Sequence, residues 1–229
     1  MKMLAMLVLA ATMDWTSVVV RLQKAAPAGD VEQLRAVRAE LTAAEPQTNL
    51  TRYTRAYVNR VLAFSRGTTV DERRTLLAEA LELLGNEKDA ESLALRGAIE
   101  GAMIGVDPSR APELGAAARS SLERAAKLAP HNPRVLLLLG TSAFHRPVEY
   151  GGGPEVAERH LRRALELFRN EPEAKPWPNW GRFDAHVYLG QSMEKLQRAD
   201  EALRHYEAAL AIAPQSEYVR RVLMPRVRR

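Results

Sequence analysis

A chain of 229 residues, 46% hydrophobic, 27% charged and 6% aromatic, has the length and apolar content to bury a core as one unit, which excludes an intrinsically disordered chain. Its formal charge of +5 comes from 33 basic and 28 acidic residues mixed along the same segments, a salt-bridged solvated surface rather than a nucleic-acid footprint. No cysteine is present, so disulfides, thiolate chemistry and Cys-ligated metals are excluded, while the redox compartment stays open.

The chain begins MKMLAMLVLAATM, one Lys and then an apolar run from Met3 to Ala11. That is the length of a signal-peptide core and too short to span a bilayer. Residues 1–13 are therefore expected to be a signal peptide, with Val8-Leu9-Ala10 as a weak cleavage site. The alternative is a first buried turn running on into DWTSVVVRLQKAA. No other stretch is long and apolar enough for a transmembrane helix.

Beyond residue 13 the apolar period stays helical, and alternating Val/Ile/Thr runs and Asn-Gly hairpin turns are missing, so the fold class is all-α. Helices are predicted near residues 15–25, 31–44, 52–64, 72–84, 91–104, 112–128, 134–144, 155–168, 183–196, 199–212 and 217–223, ten to eleven in all. Pro or Gly stands in most of the breaks: APAGD, GTTVD, GVDPSRAP, APHNP, RPVEYGGGP and EPEAKPWPNWG. None is long and polar enough for a linker, and residues 14–229 read as one domain.

Small residues recur at fixed places along the later helices. Ala202, Tyr206, Ala209 and Pro214 have the offsets of Ala118, Leu122, Ala125 and Pro130, and Ala157, Leu161 and Ala164 repeat the first part. Leu189-Gly190 precedes the last set as Leu139-Gly140 precedes the middle one. Two antiparallel helices need small side chains where their axes approach and large ones beside them, and a pair that cannot bury its apolar face alone must stack with copies of itself.

These residues resemble the tetratricopeptide repeat, with His186 in place of its Trp and Met193 in place of its first Tyr. The clearest copies are 90–130, 133–168 and 183–214, and the resemblance thins toward the first third, where Ala80 marks the expected small position. Spacings of 45, 39 and 45 between Ala80, Ala125, Ala164 and Ala209 exceed the roughly 34 of the plain repeat. HEAT-like pairs have similar periods but lack the Leu-Gly and terminal Pro signs. The resemblance implies a right-handed α-solenoid of antiparallel helix pairs. NPRVLLLLG, YGGGPEVA and the Trp-Pro stretch also resemble a group of small, often exported bacterial tetratricopeptide proteins, which implies a periplasmic location, with the cytoplasm as the alternative.

Chemistry is thin. His131, His145, His160, His186 and His205 show no metal-ligand spacing, so neither metal nor cofactor is expected. GGGPEVAERH lacks the preceding strand and following Lys of a phosphate loop. The basic tail from Arg220 to Arg229 lacks interleaved aromatics, so nucleic acid is not an expected partner.

If the first helix of each pair lines the concave face, Arg134, Leu137, Thr141 and Phe144 from one copy and Asp184, Val187, Gln191 and Glu194 from the next face the groove. Trp177 and Trp180 in the Pro-rigid PWPNW loop, and Tyr150 beside the glycines, are recognition candidates, with core packing as the competing role. The resulting reading is a non-enzymatic scaffold that binds a protein or peptide in its groove, with no demand for more than a monomer. The alternative is a carrier or sensor of a small anionic ligand bound by groove arginines and the glycine loop. An enzyme comes third, because no nucleophile, base and oxyanion arrangement is visible.

Overall fold

The computed structural model describes residues 13–85, 88–172 and 177–227, so the signal-peptide expectation lies outside the described residues except at Met13. Among them are eleven α-helices and no strand. The helices are α1 (Trp15–Ala28), α2 (Val31–Ala43), α3 (Asn49–Ala63), α4 (Val70–Leu84), α5 (Ala90–Met103), α6 (Ala111–Leu128), α7 (Pro133–His145), α8 (Pro154–Arg169), α9 (Arg182–Lys195), α10 (Ala199–Ile212) and α11 (Met224–Val227).

Local chemistry fixes the starts. Asp14, Asp30, Thr48, Thr69, Asp89 and Asn132 each accept a first-turn backbone N–H, and Pro112, Pro133 and Pro154 open α6, α7 and α8. α3 begins at Asn49 rather than near residue 52, because Thr48 and Thr51 close a reciprocal capping box that recruits the intervening residues. The last predicted helix is a π-helical segment, Tyr218–Leu223, leading into α11.

The helices pack in sequential pairs, α3 with α4, α5 with α6, α7 with α8 and α9 with α10, and the first members α3, α5, α7 and α9 also touch in succession. That is an α-solenoid, with the first helices forming one layer and the second helices the other. At three of these crossings, α5–α6, α7–α8 and α9–α10, a glycine admits a large side chain. A Cβ on Gly140 would stand 2.7 Å from Leu161 Cγ, and one on Gly190 would stand 2.4 Å from Tyr206 Cε1. Gly97 does the same against Leu122, at 2.8 Å from its Cγ.

Buried apolar side chains from Val18 to Met224 form one cluster. Gln215 Nε2 donates to the Lys24 carbonyl at 3.2 Å, so the turn after α10 returns to α1. The second-helix face carries the mixed charge seen in the sequence, as where Glu158 and Glu201 each bind both Arg162 and Arg198.

Candidate functional site in the groove

Residues 177–181, which lead into α9, do not hang in solvent; Trp177 and Trp180 are buried against the first-helix layer. Arg134 holds them there. This side chain is fully buried, and its Nε donates to Glu91 Oε1 on α5 at 2.8 Å. One Nη donates to the Trp180 carbonyl at 3.2 Å and to Glu171, and the other closes the ion pair with Glu171. Glu91 also accepts from Asn132 Nδ2 at 2.8 Å and from Tyr53 Oη at 3.1 Å, while Tyr53 Oη accepts from Trp180 Nε1 at 3.1 Å. One guanidinium thus joins α3, α5, α7 and the connection. The two carboxylates raise its already high pKa against the opposing effect of burial.

Above this clamp the groove is aromatic. Trp177 meets Tyr57 edge-on with centroids 5.4 Å apart, and Trp180 lies 4.6 Å from the same ring. Further along, Tyr188 packs edge to face on Phe144 at 5.6 Å, and Lys195 Nζ sits 3.8 Å over the Phe144 ring.

Between the two aromatic groups stand the charges. Asp184, in the first turn of α9, is pushed up to about 6 by burial, against the opposing pull of the Arg60 charge on α3 and of its own backbone N–H. Burial and the Asp184 charge also raise Tyr57. His145, across the groove, is lowered by burial and by the charges of Lys195 and Arg60.

Two donors here are unmatched. Among the described residues, Arg60 Nε and Trp177 Nε1 are buried without a hydrogen-bond partner, and Trp177 is only 8% exposed. Unmade hydrogen bonds at buried donors cost about 1–3 kcal/mol each, so such groups mark where an acceptor belongs. Donors of this kind, one of them on a residue whose charge acts on the Asp184 carboxyl, have the chemistry to meet a carbonyl or a carboxylate.

The predicted groove residues divide. Phe144, Asp184 and Gln191 are half-buried along this face, with Gln191 Nε2 donating to Tyr218 Oη at 3.1 Å. Glu194 is taken by the Tyr206 hydroxyl, so it ties α9 to α10. Leu137, Thr141 and Val187 are buried, and Arg134 is satisfied within the fold. These four shape the groove from beneath, because each α7 and α9 turn must also bury residues against α8 and the connection. Trp177 and Trp180 are packed against Tyr57, whereas Tyr150 is 64% exposed and lies away from this groove.

Sequence reasoning missed Tyr53, Tyr57 and Arg60. They stand at i, i+4 and i+7 of RYTRAYVNR, a single-face stripe that carries polar handles rather than plain aliphatics. It also passed over Tyr188 and Lys195 on α9.

No group of three His, Cys, Asp or Glu side chains capable of holding a metal occurs among the described residues, and no helix there is long and apolar enough to cross a membrane. The nearest approach of histidines is His186 Nδ1 to His205 Nδ1, 3.2 Å, where one ring donates to the other. Burial, His205 and two arginines lower His186 to about 4. A histidine held neutral in the fold but protonated at about 6.5 when unfolded makes the unfolded state bind more protons between those values, so stability falls as pH drops from 6.5 to 4. The full loss of stability attached to His186 is on the order of 3 kcal/mol. Asp184 runs the other way, adding stability as pH falls from about 6 toward 3.8. Chemical denaturation of His186→Asn between pH 4 and 7 is expected to show a shallower fall toward acid than the parent chain; an unchanged slope would remove His186 from the account.

The stacked helix pairs form an α-solenoid with an aromatic, partly filled face, and comparison identifies the repeat type of one pair. Residues 183–216, the α9–α10 pair, match the tetratricopeptide repeat, and the other helix pairs stack with it in the same α-solenoid. The HusA haemophore from Porphyromonas gingivalis is similar in structure with a TM-score of 0.58, at 24% identity over 78% of this chain and 93% of that one. The APC/C hetero-tetramer Cut9-Hcn1 gives 0.42 at 16% identity, covering 95% of this chain and 43% of its own. The assembly chaperone of RpL4, Acl4, gives 0.41 at 17% identity over 87% and 80%. No curated protein matches the sequence.

Proposed function

We propose that the chain is a non-enzymatic scaffold that grips an extended peptide between α3 and α9, in the cell envelope of a bacterium. The observation that carries this is the pair of buried, unmatched donors, Arg60 Nε, whose charge acts on Asp184, and Trp177 Nε1, whose ring packs on Tyr57. Peptide carbonyls would accept from the two donors and a peptide N–H would donate to Asp184, while the Phe144–Tyr188 face takes an apolar side chain. Export rests on the Lys-then-apolar start of the chain, and residues 14–229 act as a single domain in this reading.

The second reading, carriage of a small anionic ligand, is favoured by the same donors, which accept a carboxylate as readily as a carbonyl. One relative by fold is named a haemophore, so the architecture is not reserved for peptides.

The test is selection of binders to the full chain from a random heptapeptide display library, with calorimetry on the recovered peptides. Arg60→Gln and Asp184→Asn are each expected to weaken them about tenfold or more, since a hydrogen bond to a charged group contributes roughly 1.5–3 kcal/mol. Asp184→Asn should at the same time stabilise the free protein at pH 7.5 by about 2 kcal/mol, because it removes a carboxylate held ionised against burial. Peptides that bind both variants like the parent would overturn the groove assignment. A selection with no binder, together with capture of small carboxylates, would favour the second reading.

A further inference from the structure

Between α6 and α7 the glycine-rich loop, which the groove leaves unused, borders a second, open pocket through Tyr150. Its cavity is about 270 Å³ and is lined by Arg119, Leu122 and Glu123 of α6, by Leu139 and Ser142 of α7, and by Arg146 and Tyr150. The loop is built rather than loose. Gly153 N–H donates to the Ala143 carbonyl at 2.9 Å, Gly152 N–H to the Pro147 carbonyl at 3.0 Å, and Arg146 Nη2 to the Gly151 carbonyl at 3.3 Å. A Cβ on Gly152 would lie 2.0 Å from the Arg146 carbonyl oxygen, so only glycine lets the loop approach this closely. The result fixes Tyr150 at the pocket rim with its ring 64% exposed.

The pocket is left electrostatically unfinished. Arg146 Nε is buried and has no hydrogen-bond partner among the described residues, although one of its Nη groups is bonded to the loop. Arg119 stands close enough for its charge to lower Arg146, adding to the effect of burial, and Glu123 offsets only part of that. The Arg146 charge reaches His160 of α8 as well, which burial and Arg159 also lower.

We propose that this pocket binds the oxyanion of a small molecule, carboxylate or phosphate, between Arg119 and Arg146, with any apolar body against Leu122 and Leu139 and beneath Tyr150. Guanidinium groups recognise both oxyanions through paired N–H donors, and the aromatic ring supplies the flat contact. The volume lies just below the usual range for small-molecule sites, so the ligand is about the size of benzoate or free phosphate. This site shares no residue with the concave groove and stands or falls independently of it.

The experiment titrates the full-length ¹⁵N-labelled chain with inorganic phosphate and, separately, with benzoate, at constant ionic strength, following the backbone amides of Gly151, Gly152 and Gly153. Saturable shifts are expected with a dissociation constant of about 1 mM or tighter, weakened tenfold or more in Arg146→Gln. Arg119→Gln, on an exposed side chain, provides the variant in which a failure to fold is not at issue and should weaken binding as well. Saturation by phosphate alone assigns a phosphate site, and saturation by benzoate alone a carboxylate site with an apolar body. No saturable shift with either probe, or equal shifts in both variants, overturns the proposal.

Discussion

Arg134→Ala is expected to destabilise the protein by about 3–5 kcal/mol, the penalty for removing one partner of a buried ionic network. The side chain is 1% exposed and serves three acceptors at once: Glu91, Glu171 and the Trp180 carbonyl. Its removal takes their shared cation from two carboxylates that are 18% and 17% exposed. Arg134→Lys should recover part of this loss and no more, since a point charge cannot reproduce donors aimed at acceptors on three elements. The connection after α8 would be released, so Trp177 and Trp180 would meet solvent and tryptophan emission would shift to the red before the helices melt. Urea denaturation followed by fluorescence and by far-UV circular dichroism measures both effects. A midpoint within about 1 kcal/mol of the parent would show the clamp to be dispensable. The consequence for function is direct. A partner lost on Arg134→Ala would report a collapsed groove wall rather than a lost contact, whereas Arg60→Gln and Asp184→Asn alter groups that face the groove.

The repeat architecture was legible because packing imposes it on the sequence at fixed intervals. Gly140, Gly190, Ala157 and Ala202 are small where helix axes close, and each is matched by a large neighbour that the structure finds in contact or nearby. Gly97 obeys the same rule but follows Arg96 rather than Leu, so the Leu-Gly pattern passed over it. The site was harder to read, because a solenoid's groove residues are chosen by partners that the sequence does not contain. Arg134 occupies a groove register and yet is turned inward by a loop 37 residues away, Glu171 being its partner. Tyr57 and Arg60 lie in the first third, where the repeat pattern fades, and become site residues only because the chain curves until α3 faces α9. Tertiary proximity of this kind leaves no local signal.

Gly190→Val gives the sharpest test of the crossing geometry, with an expected cost of about 3 kcal/mol or more. A Cβ there stands 2.4, 2.7 and 3.0 Å from three atoms of the Tyr206 ring, all closer than packed carbons approach. The ring cannot step aside, because Tyr206 is fully buried and its hydroxyl is bonded to Glu194. Overpacking of this kind costs typically 1–3 kcal/mol for one added group, and valine adds three carbons, far beyond the roughly 0.5–1 kcal/mol that removing a helical glycine returns. Gly115 supplies the contrast within the same fold: its nearest neighbour to an added Cβ is Ile104 Cδ1 at 4.0 Å, so Gly115→Ala should stabilise by about that 0.5–1 kcal/mol. Because solenoid repeats couple mainly to their neighbours, the damage at Gly190 should stay local. Hydrogen exchange is then expected to show α9 and α10 losing protection while α3 to α6 keep theirs, and uniform loss along the chain would instead show that the repeats melt as one cooperative unit.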